Sequence, residues 1–119
     1  MAGAAQARTY LCKVATNPSQ GGYITEVYAF DVDEKAQKII VDDGVIEFFN
    51  KGPIEAFGAK VTPAKITFNW DLFALTEAGQ RAKLSYRAVL FLRDMTLRIS
   101  MRPIGYADDF EGYGKCRAK

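Results

Sequence analysis

The segment "KLSYRAVLFLRDMTLRISMRP" (residues 83–103) alternates apolar and polar side chains on both sides of Arg93-Asp94. A period of two on either flank of a turn is the signature of paired antiparallel strands, each burying one face. Turning the chain at Asp94-Met95 places Leu92 against Leu97, Leu90 against Ile99 and Ala88 against Met101, which makes a continuous apolar face. The opposite face then carries Arg87 opposite Arg102 and Phe91 opposite Arg98.

The same alternation recurs upstream. In "KITFNWDLF" (65–73), Ile66, Phe68, Trp70 and Leu72 share one face and Thr67, Asn69 and Asp71 the other. In "YITEVYAFDVD" (23–33), Ile24, Tyr28, Phe30 and Val32 alternate with Thr25, Val27, Ala29 and Asp31. "KIIVDDGVIEFF" (38–49) contains Asp43-Gly44, a pair favoured in two-residue hairpin loops because both central residues need positive φ. A hairpin there aligns Ile39, Val41, Ile46 and Phe48 on one face. Carried back through the turn at "DEKA" (33–36), it sets Phe30 opposite Ile39, Tyr28 opposite Val41 and Asp31 opposite Lys38. Pro53, Gly58 and Pro63 confine any strand between them to an edge or a short piece. "ALTEAGQRA" (74–82) reads as a long loop or as one helical turn within 73–80, ending at Gly79.

These pieces predict an all-β fold: one antiparallel meander of about seven or eight strands, closed as a barrel or wrapped as a sandwich, lipocalin-like in layout. Its first and last strands, around "TYLCKVA" (9–15) and Phe110 to Arg117, are the edges that such a fold must bring together. Cys12 lies in one and Cys116 in the other, so edge pairing brings them within bridging reach. The competing reading is a pair of free, buried thiols; metal binding by two cysteines without histidine is the weaker third. Gly112 and Gly114 share a face with Cys116, leaving room for an aromatic such as Tyr10 across bare backbone.

A first-strand cysteine, the "PAKITF" strand (63–68), the strand pair about Arg93-Asp94 and the closing "GYGKC" (112–116) resemble a loose class of small exported bacterial β-sheet proteins of unknown function. The resemblance runs from about Tyr10 to Cys116, and Met95-Thr96-Leu97 stands where that pattern often has a Thr-Gly turn. It implies export and a β-fold, with no activity to transfer. Ala5-Gln6-Ala7 has the small-x-small form of a signal-peptidase site, so residues 1–7 are expected to be a flexible signal-peptide remnant preceding one β domain over 8–119. A periplasmic or secreted location follows from these features.

Composition narrows the chemistry. The chain has 119 residues, 16 basic against 14 acidic side chains and a formal charge of +2, which gives no global electrostatic case for nucleic acid. No apolar run approaches the roughly 18 residues of a membrane span. Histidine is absent, which removes the commonest general base and metal ligand and every Ser-His or Cys-His system. No phosphate loop, zinc spacing or nucleophile elbow is present, so a non-enzymatic protein without a metal or cofactor is expected.

Two binding hypotheses follow. In the first, a small apolar or amphipathic ligand sits inside the sheet beside Trp70 and Tyr28, oriented by Glu26, the one charge on the apolar face of its strand; the competing placement for Glu26 is the solvated rim. In the second, the chain is an envelope or protein–protein assembly module. It then works through the outer arginine face of Arg87, Arg98 and Arg102, which takes an anion or acidic partner, or through a sheet edge near Pro53 to Pro63. The bland alternative is that carboxylates on the next strand balance those arginines. Acidic turns at Asp42-Asp43, Asp31 to Glu34 and Asp108-Asp109 lack the spacing of a calcium loop.

Overall fold

The computed structural model describes residues 7–17, 22–75, 79–105 and 109–119. Nine strands and one helix follow in chain order. They are β1 (Ala7–Val14), β2 (Val27–Asp33), β3 (Lys38–Asp43), α1 (Gly44–Asn50), β4 (Ile54–Glu55), β5 (Phe57–Val61), β6 (Lys65–Leu75), β7 (Arg81–Phe91), β8 (Thr96–Pro103) and β9 (Phe110–Ala118). All belong to one antiparallel sheet in the order β4-β3-β2-β1-β9-β8-β7-β6-β5. The fold is all-β, as expected, and the sheet is nearly closed into a barrel.

The terminal strands meet at the middle of the sheet. Cys12 and Cys116 are direct cross-strand partners, 4.0 Å apart at Cα, and are joined by a disulfide. The seam falls instead at mid-chain, between β4 and β5, where the chain passes from one end of the sheet to the other through Ala56. Proline and glycine account for its place: "GPIEAFG" (52–58) sustains only short strands. Two contacts stitch it. The Ala56 N–H donates to the Ile39 carbonyl at 2.8 Å. The Gln37 side chain takes both backbone groups of Val61, its Oε1 accepting at 2.7 Å and its Nε2 donating at 3.4 Å.

Two hairpins differ from the expected register, by the same amount and for the same reason. Phe30 faces Val41 and Val32 faces Ile39, while Leu90 faces Leu97 and Ala88 faces Ile99. In each the loop holds four residues, 34–37 and 92–95, instead of two. The last residue of each loop takes positive φ, Gln37 at 54° and Met95 at 56°. Side chains of Asp33 and Asp94 hold these loops, accepting from the Ala36 N–H and from the Thr96 N–H and hydroxyl. A slip of two keeps every residue on its expected face, so the core survives the error.

The Asp43-Gly44 hairpin is corrected outright. Asp43 is extended (φ −160°, ψ 179°), and its carboxylate accepts the Ile46 N–H, capping α1. Aspartate favours both turns and helix N-caps, and here the cap wins because a turn of helix points Val45, Ile46 and Phe49 at the core. Phe48, expected beside Ile46, is instead 68% exposed. Residues 73–75, within the helical turn expected over 73–80, are the end of β6; the rest of that turn falls largely on residues 76–78, outside those described.

The interior is an aromatic column. Phe30 meets Phe68 edge-on at 4.8 Å, and Trp70 lies parallel to Tyr86 at 5.0 Å, with Tyr28 6.3 Å from Trp70. Gly112 lies under Ile24, Val14 and Ile99 rather than under Tyr10, which pairs with Ala118. A Cβ at Gly114 would run into the Lys13 carbonyl. Replacing Gly114 with Ala should therefore push β1 from β9 and cost about 2 kcal/mol in denaturant unfolding. The disulfide closes a span of 104 residues. The double variant Cys12→Ser, Cys116→Ser should lose about 4 kcal/mol in the same assay, and an unchanged midpoint would refute that role.

Candidate functional site

The barrel ends differ. At one end α1 packs against β6 and β3 and inserts Ile46, which is fully buried. Behind it lies a small polar cluster. The Asp43 carboxylate accepts the Thr25 hydroxyl at 2.6 Å and the Ile46 N–H at 2.8 Å. The Tyr28 hydroxyl accepts the Thr25 N–H at 3.1 Å, and the Tyr86 hydroxyl donates to the Tyr23 carbonyl at 2.9 Å.

Burial raises the Asp43 carboxyl above its ordinary value, against the opposing pull of hydrogen bonds from Thr25, Ile46 and Tyr28. Burial, then the Asp43 charge, pushes the Tyr28 hydroxyl far up, and burial does the same to Tyr86. The cluster is thus a hydrogen-bonded knot beneath a helix, its titratable groups buried and tied to one another.

Because the folded state holds the Asp43 proton more tightly than the unfolded chain, this group favours folding most at low pH. That contribution is lost as pH rises through the raised carboxyl value. Asp43→Asn, which keeps a capping oxygen, should flatten the stability–pH profile just above the ordinary carboxyl value of 3.8. Asp43→Ala should cost about 2 kcal/mol at neutral pH, from the lost cap and two unpaired hydroxyls. Parallel profiles for wild type and Asp43→Asn would refute the assignment.

The opposite end is open. A recess of about 340 Å³ lies there, floored by the buried side chains of Tyr10, Val32 and Ile66. Val61, Leu92 and Met95 form its walls, and Arg8 and Glu34, both exposed, stand at its rim. Its residues come from β1, β2, β5, β6, β9, the turn between β5 and β6 and the two four-residue loops, so no local stretch of sequence announces it.

Tyr28 and Trp70 face the interior, but Trp70 is 1% exposed and both rings pack against neighbouring rings. They are core, and the Trp70 Nε1–H has no hydrogen-bond partner. Glu26 is not in the interior: β2 starts after it, and its 62%-exposed side chain lies 3.8 Å from Lys13. The structure thus separates Glu26 from the two aromatics it was expected to join.

Arg87 and Arg102 lie along a groove of about 710 Å³ that also holds Ser85, Ser100 and Asp71, and Arg98 lies outside it. Arg87 faces Ser100 and Arg102 faces Ser85, so the expected Arg87–Arg102 opposition does not occur. Arg102 binds Asp109 through two nitrogens at 2.8 and 3.2 Å, and Arg98 binds Glu111 at 2.6 Å. Carboxylates on or beside β9 are thus the counter-ions of Arg98 and Arg102, whereas Arg87 faces a serine. Glu47 shares a hydrogen bond with Asp42, which raises its pKa, and lies on α1, apart from the Glu26–Lys13 pair. Among the described residues no three metal-ligating side chains gather, and no helix is long and apolar enough to cross a membrane. Comparison of the chain with protein-family models, with curated proteins and with solved structures finds no match.

Proposed function

We propose that this chain is a non-enzymatic binding module, exported to the periplasm or secreted, that takes a small amphipathic molecule at the open mouth of its barrel. The recess above Tyr10, Val32 and Ile66 carries this reading: it is concave, apolar at its floor and bordered by one cation and one anion. Binding sites for small molecules combine these features, with few polar groups orienting a largely apolar body. The interior position beside Trp70 and Tyr28 is taken up by side-chain packing, so the ligand is placed at the rim instead of the centre.

A meander barrel plugged at one end and open at the other has a lipocalin-like layout, which supports the same reading. Export is supported by the disulfide, since such bonds persist in oxidising compartments, and by the resemblance to small exported bacterial β-proteins. Arg8 favours a carboxylate or phosphate headgroup, with the tail directed at Val61, Leu92 and Met95.

Titration of the isotope-labelled protein with octanoate should shift the amide signals of Val32, Val61, Ile66 and Met95. Val61→Trp, which fills the recess, should weaken binding at least about tenfold, and Arg8→Glu should transfer the preference from octanoate to octylamine. Shifts confined to the outer groove, or none with either probe, would overturn the mouth as the site.

A further inference from the structure

On the outer wall of the barrel, five strands contribute one residue each to a single row. Phe57 of β5 faces Asn69 of β6, and Asn69 faces Arg87 of β7. Arg87 in turn faces Ser100 of β8, and Ser100 faces Glu111 of β9. With neighbouring strands about 4.8 Å apart, the row spans about 19 Å. It lines the groove of about 710 Å³, a volume typical of small-molecule sites. Beside it runs a shorter row, in which Asp71 faces Ser85 and Ser85 faces Arg102.

The charges of the groove answer one another, with one exception. Asp71 accepts the Ser85 hydroxyl at 2.8 Å and lies 3.5 Å from Lys83, Asp109 holds Arg102, and Glu111 holds Arg98. Arg87, exposed at the centre of the long row, makes no side-chain hydrogen bond or ion pair among the described residues. Its guanidinium is a planar fork of donors that matches a carboxylate. The carboxylates of Asp71, Asp109 and Glu111 decide what that anion is part of. Each can accept more hydrogen bonds than its partner supplies, which suits hydroxyl donors, and together they repel a ligand with negative charge along its whole length, such as a phosphodiester chain. Asn69, Ser85 and Ser100 are half-buried, while Phe57 ends the row 54% exposed.

We infer that this groove is a second binding site, for a short saccharide carrying a single carboxylate. The carboxylate pairs with Arg87, the one cation of the groove not already answered by a carboxylate. Ring hydroxyls donate to Asp71 and Glu111 and exchange hydrogen bonds with Ser100 and Asn69. The apolar face of one sugar ring covers Phe57. Few polar groups at fixed places along a row orient such a ligand in the way small-molecule sites do. The groove and the recess at the mouth have no lining residue in common, so the two can be occupied at once.

The test is titration of the isotope-labelled, oxidised full chain with aldotetraouronic acid, a xylotriose bearing one glucuronate. The amide signals of Asn69, Arg87 and Ser100 should shift, while those of Val32 and Ile66 at the mouth stay in place. Neutral xylotetraose should bind at least about tenfold more weakly, and so should the acid to the variant Arg87→Gln. The amide spectrum of that variant should match wild type outside the groove, which separates lost binding from lost folding. Arg117→Gln removes the same charge from the outer wall of β9 and should bind the acid as wild type does. No shift at the groove, equal binding of xylotetraose, or an equal loss in Arg117→Gln and Arg87→Gln would each overturn the inference. So would a single-stranded oligonucleotide that shifts the same signals at lower concentration, because the groove would then be a polyanion surface. Octanoate binding is read at the signals of the mouth, so failure of either proposal leaves the other standing.

Discussion

The pairing of β1 with β9 is the contact on which the rest of the molecule depends. It joins two meanders, β1 to β4 and β5 to β9, that would otherwise be separate open sheets with apolar faces. The join is tight because β9 has glycine where β1 comes closest, with Gly112 beneath Val14 and Gly114 against the Lys13 carbonyl. Cys12 and Cys116 then lock it at a directly opposed position. A disulfide there holds the two halves of the barrel together even when local hydrogen bonds open.

Making the termini the centre of the sheet moves its weak line to the middle of the chain. The seam between β4 and β5 holds through few contacts, and the Gln37 side chain acts as a substitute strand by satisfying both backbone groups of Val61. Gln37 is placed for this by its positive φ at the end of a four-residue loop. Near the seam, α1 fills the lower end of the barrel, where it packs against β6 and β3.

Two of the three outer arginines are answered by carboxylates of the same chain. Arg98 and Arg102 have Glu111 and Asp109 as hydrogen-bonded partners, while Lys83 lies 3.5 Å from Asp71. Exposed pairs of this kind contribute little to stability, and Arg87 in the same groove faces Ser100 instead of a carboxylate. The more distinctive surfaces are where apolar and charged groups lie side by side: the recess rimmed by Arg8 and Glu34, and the outer face of β6 and β7 where Arg81 lies over Phe73.

Period-two alternation in the sequence determined the all-β class, the inward set Tyr28, Phe30, Phe68 and Trp70, and the meeting of Cys12 with Cys116. Alternation is a local property, and a two-residue slip does not disturb it. The loop lengths at 34–37 and 92–95, and with them the partners of Arg87 and Arg102, were not legible, because Asp94-Met95 suits a two-residue turn as well as a four-residue one. Asp43-Gly44 misled for a related reason: an aspartate that can begin a turn can equally cap a helix, and only the unfilled barrel end chose between them. Glu26 shared the parity of the inward residues but lay beyond the strand's start, where parity no longer constrains a side chain. The mouth belongs to tertiary structure alone. It is made where strands distant in sequence end at different heights, and only closure of the sheet sets those heights.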